Sequence, residues 1–373
     1  MPHKDKQMAS FFLTTKCNLC CEYCYNREER TQMEDKSLPF EIAKAGMDLF
    51  FAENPSRHIR FYGPGEPTQD VELMKKIVDY ARQLAGNQIT VELQTNGVFS
   101  KKDRIWLLDN INIMWVSFDG EPKIHDAKRH FSDGSPTSPF IEKNIKWLLE
   151  NKTWQKLMIG ARVTITNENI YRQKEMVDYF RSLGIVNVWS DPLFPCVGSI
   201  PAYEDKEKMS SYSFNMEKYT GTFIEASKYA MEKGVFYGSF LTCNFDGKTN
   251  KHCRACTPVP HFTPDGYISA CDLVTSGENA YHMDCFVYGK WNPEKQKFDI
   301  FEEKLVALKK RTTEKMEHCM KCAAKEYCGG YCLGEVVNET GDLYGQKRTV
   351  CIAIRRLLKE IGISKTPFPY MHP

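Results

Sequence analysis

Nowhere in the 373 residues do eighteen consecutive apolar side chains occur, which excludes an ordinary membrane-spanning helix. The first fifteen residues place no long apolar core after their basic residues, so no secretory signal is legible. Neither sign of charge dominates: 50 Lys and Arg stand against 48 Asp and Glu, for a formal charge of +2. Without a concentrated basic excess, nucleic acid and anionic membrane have no electrostatic claim as partners. No segment combines low hydrophobicity with high net charge, so a long disordered tail is excluded as well. The expectation is a soluble, cytoplasmic, globular protein of two or three domains, with roughly 75% of its unfolded surface buried.

Cysteine is missing from 25 to 195 and crowded elsewhere. Of fifteen, four lie at 17, 20, 21 and 24, one at 196, and ten between Cys243 and Cys351. In a reducing compartment such richness points to metal binding or catalysis before disulfides, and the uneven spacing suggests two metal-bearing regions. Between them, short β-like runs alternate with amphipathic helical runs, the pattern of βα units around a parallel sheet. Strands are expected at Ser10 to Thr14, Ile59 to Tyr62, Thr90 to Gln94, Met114 to Phe118, Met158 to Thr164 and Val186 to Ser190. Helices fill the gaps. One opens near Pro39; another starts at Asp70, carries Leu73, Ile77, Val78, Ala81 and Leu84 on one face and stops at Gly86. A third uses Ser138 and Pro139 as cap and first turn, and a fourth ends at Gly184.

The domain boundaries expected are 1–200 for the βα units, 201–242 for a bridge with a helix from Phe223 to Lys233, and 243–373 for a cysteine-rich region that needs metal to hold it. That last region has a charged helical stretch around Phe301 to Lys315 and a closing helix from Ile352 to Ile361. Its basic cluster Lys309, Lys310 and Arg311 reads as a solvated helix face.

Directly after the first strand come Cys17, Cys20, Cys21 and Cys24. A zinc site built from two CxxC pairs leaves little slack for a tetrahedron within eight residues. Cys17, Cys21 and Cys24 taken as CxxxCxxC can instead hold three irons of a cubane and leave the fourth open. In this the chain resembles the radical S-adenosylmethionine (SAM) enzymes, with Tyr23 as the aromatic residue before the last cysteine. The resemblance implies an α/β fold, a partial (β/α)6 TIM barrel, and a [4Fe-4S] cluster whose open iron binds SAM and cleaves it to a 5′-deoxyadenosyl radical. It also implies a flavodoxin- or ferredoxin-like reductant. Gly63, Gly65 and Glu66 fall where the family's GGEP segment receives the methionine ammonium. Pro64 departs from that pattern: it loses an N–H and keeps the carbonyl. By the same resemblance Asn96 lies on the binding face, Ser117 and Asp119 sit near the ribose, and Arg129 pairs with the methionine carboxylate.

The C-terminal spacing, Cys253-x2-Cys256, Cys271, then Cys319-x2-Cys322-x5-Cys328-x3-Cys332 and Cys351, resembles the SPASM domain of peptide-modifying radical SAM enzymes. That implies two auxiliary [4Fe-4S] clusters, three in all. Cys253, Cys256, Cys271 and Cys332 would hold the first, and Cys319, Cys322, Cys328 and Cys351 the second. Cys243 is an alternative to Cys253, and two zinc sites are a rival reading of the whole set. Cys20, Cys196 and Cys285 read as simple buried thiols.

Layout and spacing are closest to the anaerobic sulfatase-maturating enzymes, which implies a peptide or protein substrate and places Asp272 as general base. Asn26 and Tyr62 stand where that family has a tyrosine and a glutamine, so the substrate pocket is expected to differ. With 16 residues before Cys17, a fused leader-binding domain is not expected there. A radical dehydrogenase or epimerase acting on a small molecule is the second enzymatic reading, and an iron–sulfur electron carrier the third.

Overall fold

The computed structural model describes residues 7–26, 35–153, 157–194, 213–365 and 368; Cys196 and the start of the expected bridge lie outside them. Seven parallel strands follow one another in sequence and in space: β1 Ala9–Phe12, β2 His58–Tyr62, β3 Thr90–Thr95, β4 Ile113–Ser117, β5 Met158–Ile165, β6 Asn187–Pro192 and β7 Phe236–Gly238. Parallel strands with helices behind them are buried on both faces and read as continuous apolar runs. That is why β1, wholly buried, and its neighbours begin within two residues of their expected positions. The first and last parallel strands do not meet, so the barrel is open.

The seventh strand was not foreseen, and it comes from the expected bridge. The helix among that region's described residues is α6, Met216–Glu232, which begins seven residues before the expected Phe223. The free edge of β1 is covered by β8, His261–Phe262, running parallel to it, with Ser10 opposite His261 and Phe11 opposite Phe262. From β8 the sheet continues antiparallel through β9 Tyr267–Ser269, β10 Val287–Asn292 and β11 Lys297–Ile300. The cysteine-rich region therefore shares one sheet with the barrel, and one core runs through both.

Behind the sheet lie α1 Phe40–Glu53, α2 Val71–Ala85, α3 Lys101–Asn110, α4 Ser138–Asn151 and α5 Gln173–Ser182. The α2 ends are those expected: Asp70 accepts from the Leu73 N–H at 3.2 Å, and Gly86 closes the last turn on Arg82. Leu84 is exposed rather than on the buried face, in the turn that overhangs the sheet. The α4 cap is Thr137, and the donors of its first turn are met by Asp126, whose Oδ1 accepts from Thr137 and Ser138 N–H at 2.9 Å each. The charged stretch after Phe301 is α7, Glu302–Lys310; it stops there because Arg311 leaves the helix and turns inward, fully buried. Lys309 and Lys310 form a solvated face as expected, and Arg311 does not. The chain ends in α8 Leu333–Thr340 and α9 Arg348–Ile361. None of the described helices is long and apolar enough to cross a membrane.

Candidate active site

The loop after β1 is fixed by its neighbours rather than by its own turns. Cys20 N–H donates to His130 O and Glu22 N–H to Lys128 O, both at 2.9 Å, so the segment around Arg129 is stitched against the cysteines. From the other side Asn96 donates to Asn18 Oδ1 at 2.7 Å and approaches Cys17 Sγ at 3.9 Å. Cys17, Cys21 and Cys24 line one cavity of about 280 Å³, and Cys20 does not. That volume is at the small end of ligand sites, roughly 300–1,000 Å³. Burial pushes the Cys21 thiol up to about 12, against the pull of Arg129.

Gly63, Pro64, Gly65 and Glu66 form the next stretch of wall. Gly65 N–H donates to Thr14 O at 3.0 Å and Glu66 N–H to Lys16 O at 2.8 Å, which presses this turn onto the base of the cysteine loop. A Cβ on Gly65 would stand 2.2 Å from Lys16 O and 2.6 Å from Thr14 O, so only glycine fits. The buried Glu66 carboxylate is engaged from inside: Oε1 accepts from Thr68 N–H, the Thr68 hydroxyl and the Thr95 hydroxyl, and Oε2 from Asn96 N–H at 2.6 Å. It ties the end of β2 to the end of β3 and keeps only the remaining capacity of Oε2 for a ligand.

Ser117 and Arg129 line the cavity; Asp119 lies behind it, 1% exposed. Both Asp119 oxygens are taken, Oδ1 by Thr164 N–H at 2.8 Å and Oδ2 by Arg129 Nε at 2.9 Å and by the Tyr23 hydroxyl. Asp119 thereby aims Arg129. The guanidinium lies 5.0 Å from the centre of the Tyr23 ring, a cation–π contact that fixes its plane. Behind Asp119, His125 Nδ1 accepts from the Asp119 N–H, so Nε2 carries the proton toward Thr137 Oγ1 at 3.0 Å. Burial lowers the His125 pKa to about 4, so it is neutral at working pH.

The C-terminal cysteines fall into two further sets. Cys253, Cys271 and Cys332 line the same cavity, with Cys256 hydrogen-bonded to Cys253. Cys319, Cys322, Cys328 and Cys351 line a separate small cavity. Cys243 is elsewhere, buried with Trp115 and Trp189 and 3.7 Å from His252 Nε2, so the geometry brings Cys253 and not Cys243 to the set. Among the described residues no three His, Cys, Asp or Glu side chains are grouped for a single metal ion. The donor chemistry of each set, thiols lining one cavity, fits a group bound through several thiolates.

Asp272 lines the cavity clamped by Arg60, through Nη2 to Oδ1 and Nη1 to Oδ2 (the latter 3.1 Å), and by His261 Nε2 at 2.8 Å. Burial alone would raise its carboxyl, but Arg60 and His261 outweigh burial and hold it well below the usual range. His261 Nδ1 faces two carbonyls, Val259 and Ser269, at 3.0 Å. Asp272, the expected general base, is thus one half of a carboxylate–imidazole pair that Arg60 also holds. A third carboxylate on the wall besides Glu66 and Asp272, Asp191 at the end of β6, escaped the sequence reading. Burial raises its pKa to about 6 although Arg162 lies 3.3 Å away. Its only sequence signal was a position at a parallel strand's C-terminal end. Tyr62 meets Tyr25, hydroxyl to hydroxyl, beside Asp272, and Asn26 is buried against Thr275.

Residues 11–178 match the model of the radical SAM superfamily. The serine-type anaerobic sulfatase-maturating enzyme of Bacteroides thetaiotaomicron is 21% identical over 238 residues, 62% of this chain and 54% of that protein. This chain spans at most 61% of the length of the curated relatives it matches. Among solved structures, native anSMEcpe with bound AdoMet and Cp18Cys peptide superposes with a TM-score of 0.72 at 19% identity, covering 95% of this chain and 96% of that one. Streptococcus suis SuiB bound to precursor peptide SuiA gives 0.62 at 15% identity, over 93% and 76%. At such identities the likeness establishes a shared fold. The cysteine loop and the open parallel barrel fall in or beside the matched segment, so residues 11–178 carry a domain similar to the radical SAM superfamily.

Proposed function

We propose that this protein is a radical SAM/SPASM enzyme that modifies a peptide or protein, and that Cys17, Cys21 and Cys24 hold its SAM-binding [4Fe-4S] cluster. When bound, cluster and SAM supply a 5′-deoxyadenosyl radical that takes hydrogen from a side chain or Cα. Two auxiliary clusters would be held by Cys253, Cys256, Cys271 and Cys332, and by Cys319, Cys322, Cys328 and Cys351. The observation that carries this reading is one cavity lined both by the CxxxCxxC thiols and by Cys253, Cys271 and Cys332 of the second set. A substrate held there would meet a hydrogen acceptor and an electron acceptor in one cavity. That both solved relatives bind peptides favours peptide over small molecule. A flavodoxin- or ferredoxin-like protein would supply the electron.

In this reading Arg129, held by Asp119 and Tyr23, presents its fork to the SAM carboxylate, while Gly63, Gly65, Glu66, Asn96 and Ser117 shape the rest of that site. Of Asp191 and Asp272, the pKa of Asp191 lies closer to working pH, the better tuning for a base. Asp272, paired with His261 and Arg60, is the second candidate.

Anaerobic reconstitution tests the whole reading. Wild type should carry about twelve irons and form 5′-deoxyadenosine; Cys17/Cys21/Cys24→Ala should carry about eight and form none, at four irons per cubane. Zinc in place of iron, or cleavage that persists in the triple variant, overturns it. Asp191→Asn and Asp272→Asn then separate the bases. The one that stops peptide product while 5′-deoxyadenosine still forms is the proton acceptor, and loss of product in Asp272→Asn alone would refute the preference for Asp191.

A further inference from the structure

Arg311 is 0% exposed, yet among the described residues it forms no ion pair with a carboxylate. Its Nε donates to Leu343 O at 3.0 Å, Nη2 to Gly330 O at 2.7 Å, and Nη1 to Tyr331 O at 3.2 Å. Nη1 also reaches Cys256 Sγ at 3.7 Å. Carbonyls satisfy N–H groups but leave the positive charge uncompensated, and a buried unpaired cation is costly. Neutral amide donors such as Asn or Gln can bond carbonyls without burying a charge, so a carbonyl clasp alone does not call for arginine at this place. The side chain left the exposed face that Lys309 and Lys310 occupy and went to the thiols instead.

The carbonyls that receive it belong to a short connection between the two auxiliary sets. Cys328 is in one set and Cys332 in the other, and three consecutive residues between them, Gly329, Gly330 and Tyr331, have φ of +62°, +86° and +63°. A left-handed run that includes a tyrosine is strained for L-residues. It turns the Gly330 and Tyr331 carbonyls onto one guanidinium. Arg311 therefore touches a thiol of the first set and the backbone joining the first set to the second.

A cubane closed by four thiolates is anionic, and its potential responds to net charge and to hydrogen bonds at its sulfurs. We propose that Arg311 is the built-in counter-charge of the auxiliary cluster held by Cys253, Cys256, Cys271 and Cys332, raising that cluster's reduction potential so that it accepts an electron from the oxidised substrate. This rests on the cluster assignment proposed above. Arg311 is a positioning residue, because it acts through Cys256 and lies outside the substrate cavity.

The test is an EPR-monitored redox titration of the reconstituted full-length enzyme, with iron counted first. Wild type lacking about eight auxiliary irons would refute the cluster assignment and the role of Arg311 with it, whereas full iron with unmoved potentials would refute the role of Arg311 alone, so the two failures are distinguishable. Given the irons, Arg311→Lys keeps the charge and should titrate near wild type. Arg311→Met should make reduction of one auxiliary cluster at least about tenfold less favourable, about 59 mV for a one-electron couple, and leave the SAM-binding cluster unmoved. If Arg311→Met instead loses about four irons while Arg311→Lys keeps them, the charge is needed for the cluster to form, and the proposal stands. Unchanged potentials in Arg311→Met with full iron overturn it. So does equal loss of iron in both variants, which would make Arg311 a backbone clasp only.

Discussion

Gly65→Ala tests how tightly the glycine turn must press on the cysteine loop. The added methyl would lie 2.2 Å from Lys16 O and 2.6 Å from Thr14 O. Both are backbone atoms on the strand-to-loop junction, so the turn itself must move. Restoring an ordinary carbon–oxygen contact takes about 1 Å, enough to break the 2.8 Å bond from Glu66 N–H to Lys16 O and the 3.0 Å bond from Gly65 N–H to Thr14 O. Two hydrogen bonds at about 1 kcal/mol each give a stability loss of about 2 kcal/mol. The Glu66 carboxylate moves with the turn and carries the Asn96 N–H, hence the Asn96 contact with Asn18 in the cysteine loop. A misplacement of 1 Å at a reacting centre costs roughly a hundredfold. Equilibrium dialysis with SAM on the iron-loaded variant should therefore show much weaker binding, and 5′-deoxyadenosine formation should fall about a hundredfold. Binding and cleavage within twofold of wild type, with full iron, would refute the idea that this contact sets the site.

Two other perturbations have signs fixed by the structure. His125 is buried with its pKa lowered from 6.5 to about 4. The stability tied to its neutral form is complete above about 6.5 and drains away as pH falls toward 4. Between pH 8 and pH 5 this amounts to about 2 kcal/mol at 1.36 kcal/mol per unit. His125→Gln should unfold with a flatter pH dependence in thermal melts, and an unaltered slope would mean another group is titrating. Gly221 sits inside α6, where a Cβ would find Arg356 Nη2 at 3.7 Å and nothing nearer. Gly221→Ala should stabilise by about 0.5–1 kcal/mol through helix propensity, seen as a higher melting temperature; a lower one would place α6 and α9 in closer packing than described.

What the sequence disclosed was whatever depends on neighbours in the chain. Six of the parallel strands were legible because each is a short apolar run bounded by turn residues, and Asp70 and Gly86 punctuate α2 locally. The C-terminal thiol sets were legible because cysteine spacing is itself a signal. Burial of a charge is decided by the far side of the fold, which is why Arg311 read as one more solvated cation beside Lys309 and Lys310. The same holds for Asp119 and Asp272. Their sequence positions beside β4 and Cys271 were plain, but Arg129, Tyr23, Arg60 and His261 decide which way each carboxylate faces and how strongly it holds a proton. Asp191 lacked even a motif. Its environment is assembled from β5, β6 and the segment at Ser239 and Phe240.

The pairing of β1 with β8 has a consequence for how the protein is made. β1 leaves the ribosome before the other strands of this sheet, and the strand that covers its outer edge is encoded about 250 residues later. At roughly 5–20 residues per second, that edge stays bare for about 12–50 s of synthesis. An uncovered parallel edge with unpaired N–H and C=O groups is a template for the wrong chain. A nascent or truncated barrel that stops short of His261 should therefore depend on chaperones for solubility, and expression of the matched domain alone should give aggregates where the full chain gives soluble enzyme.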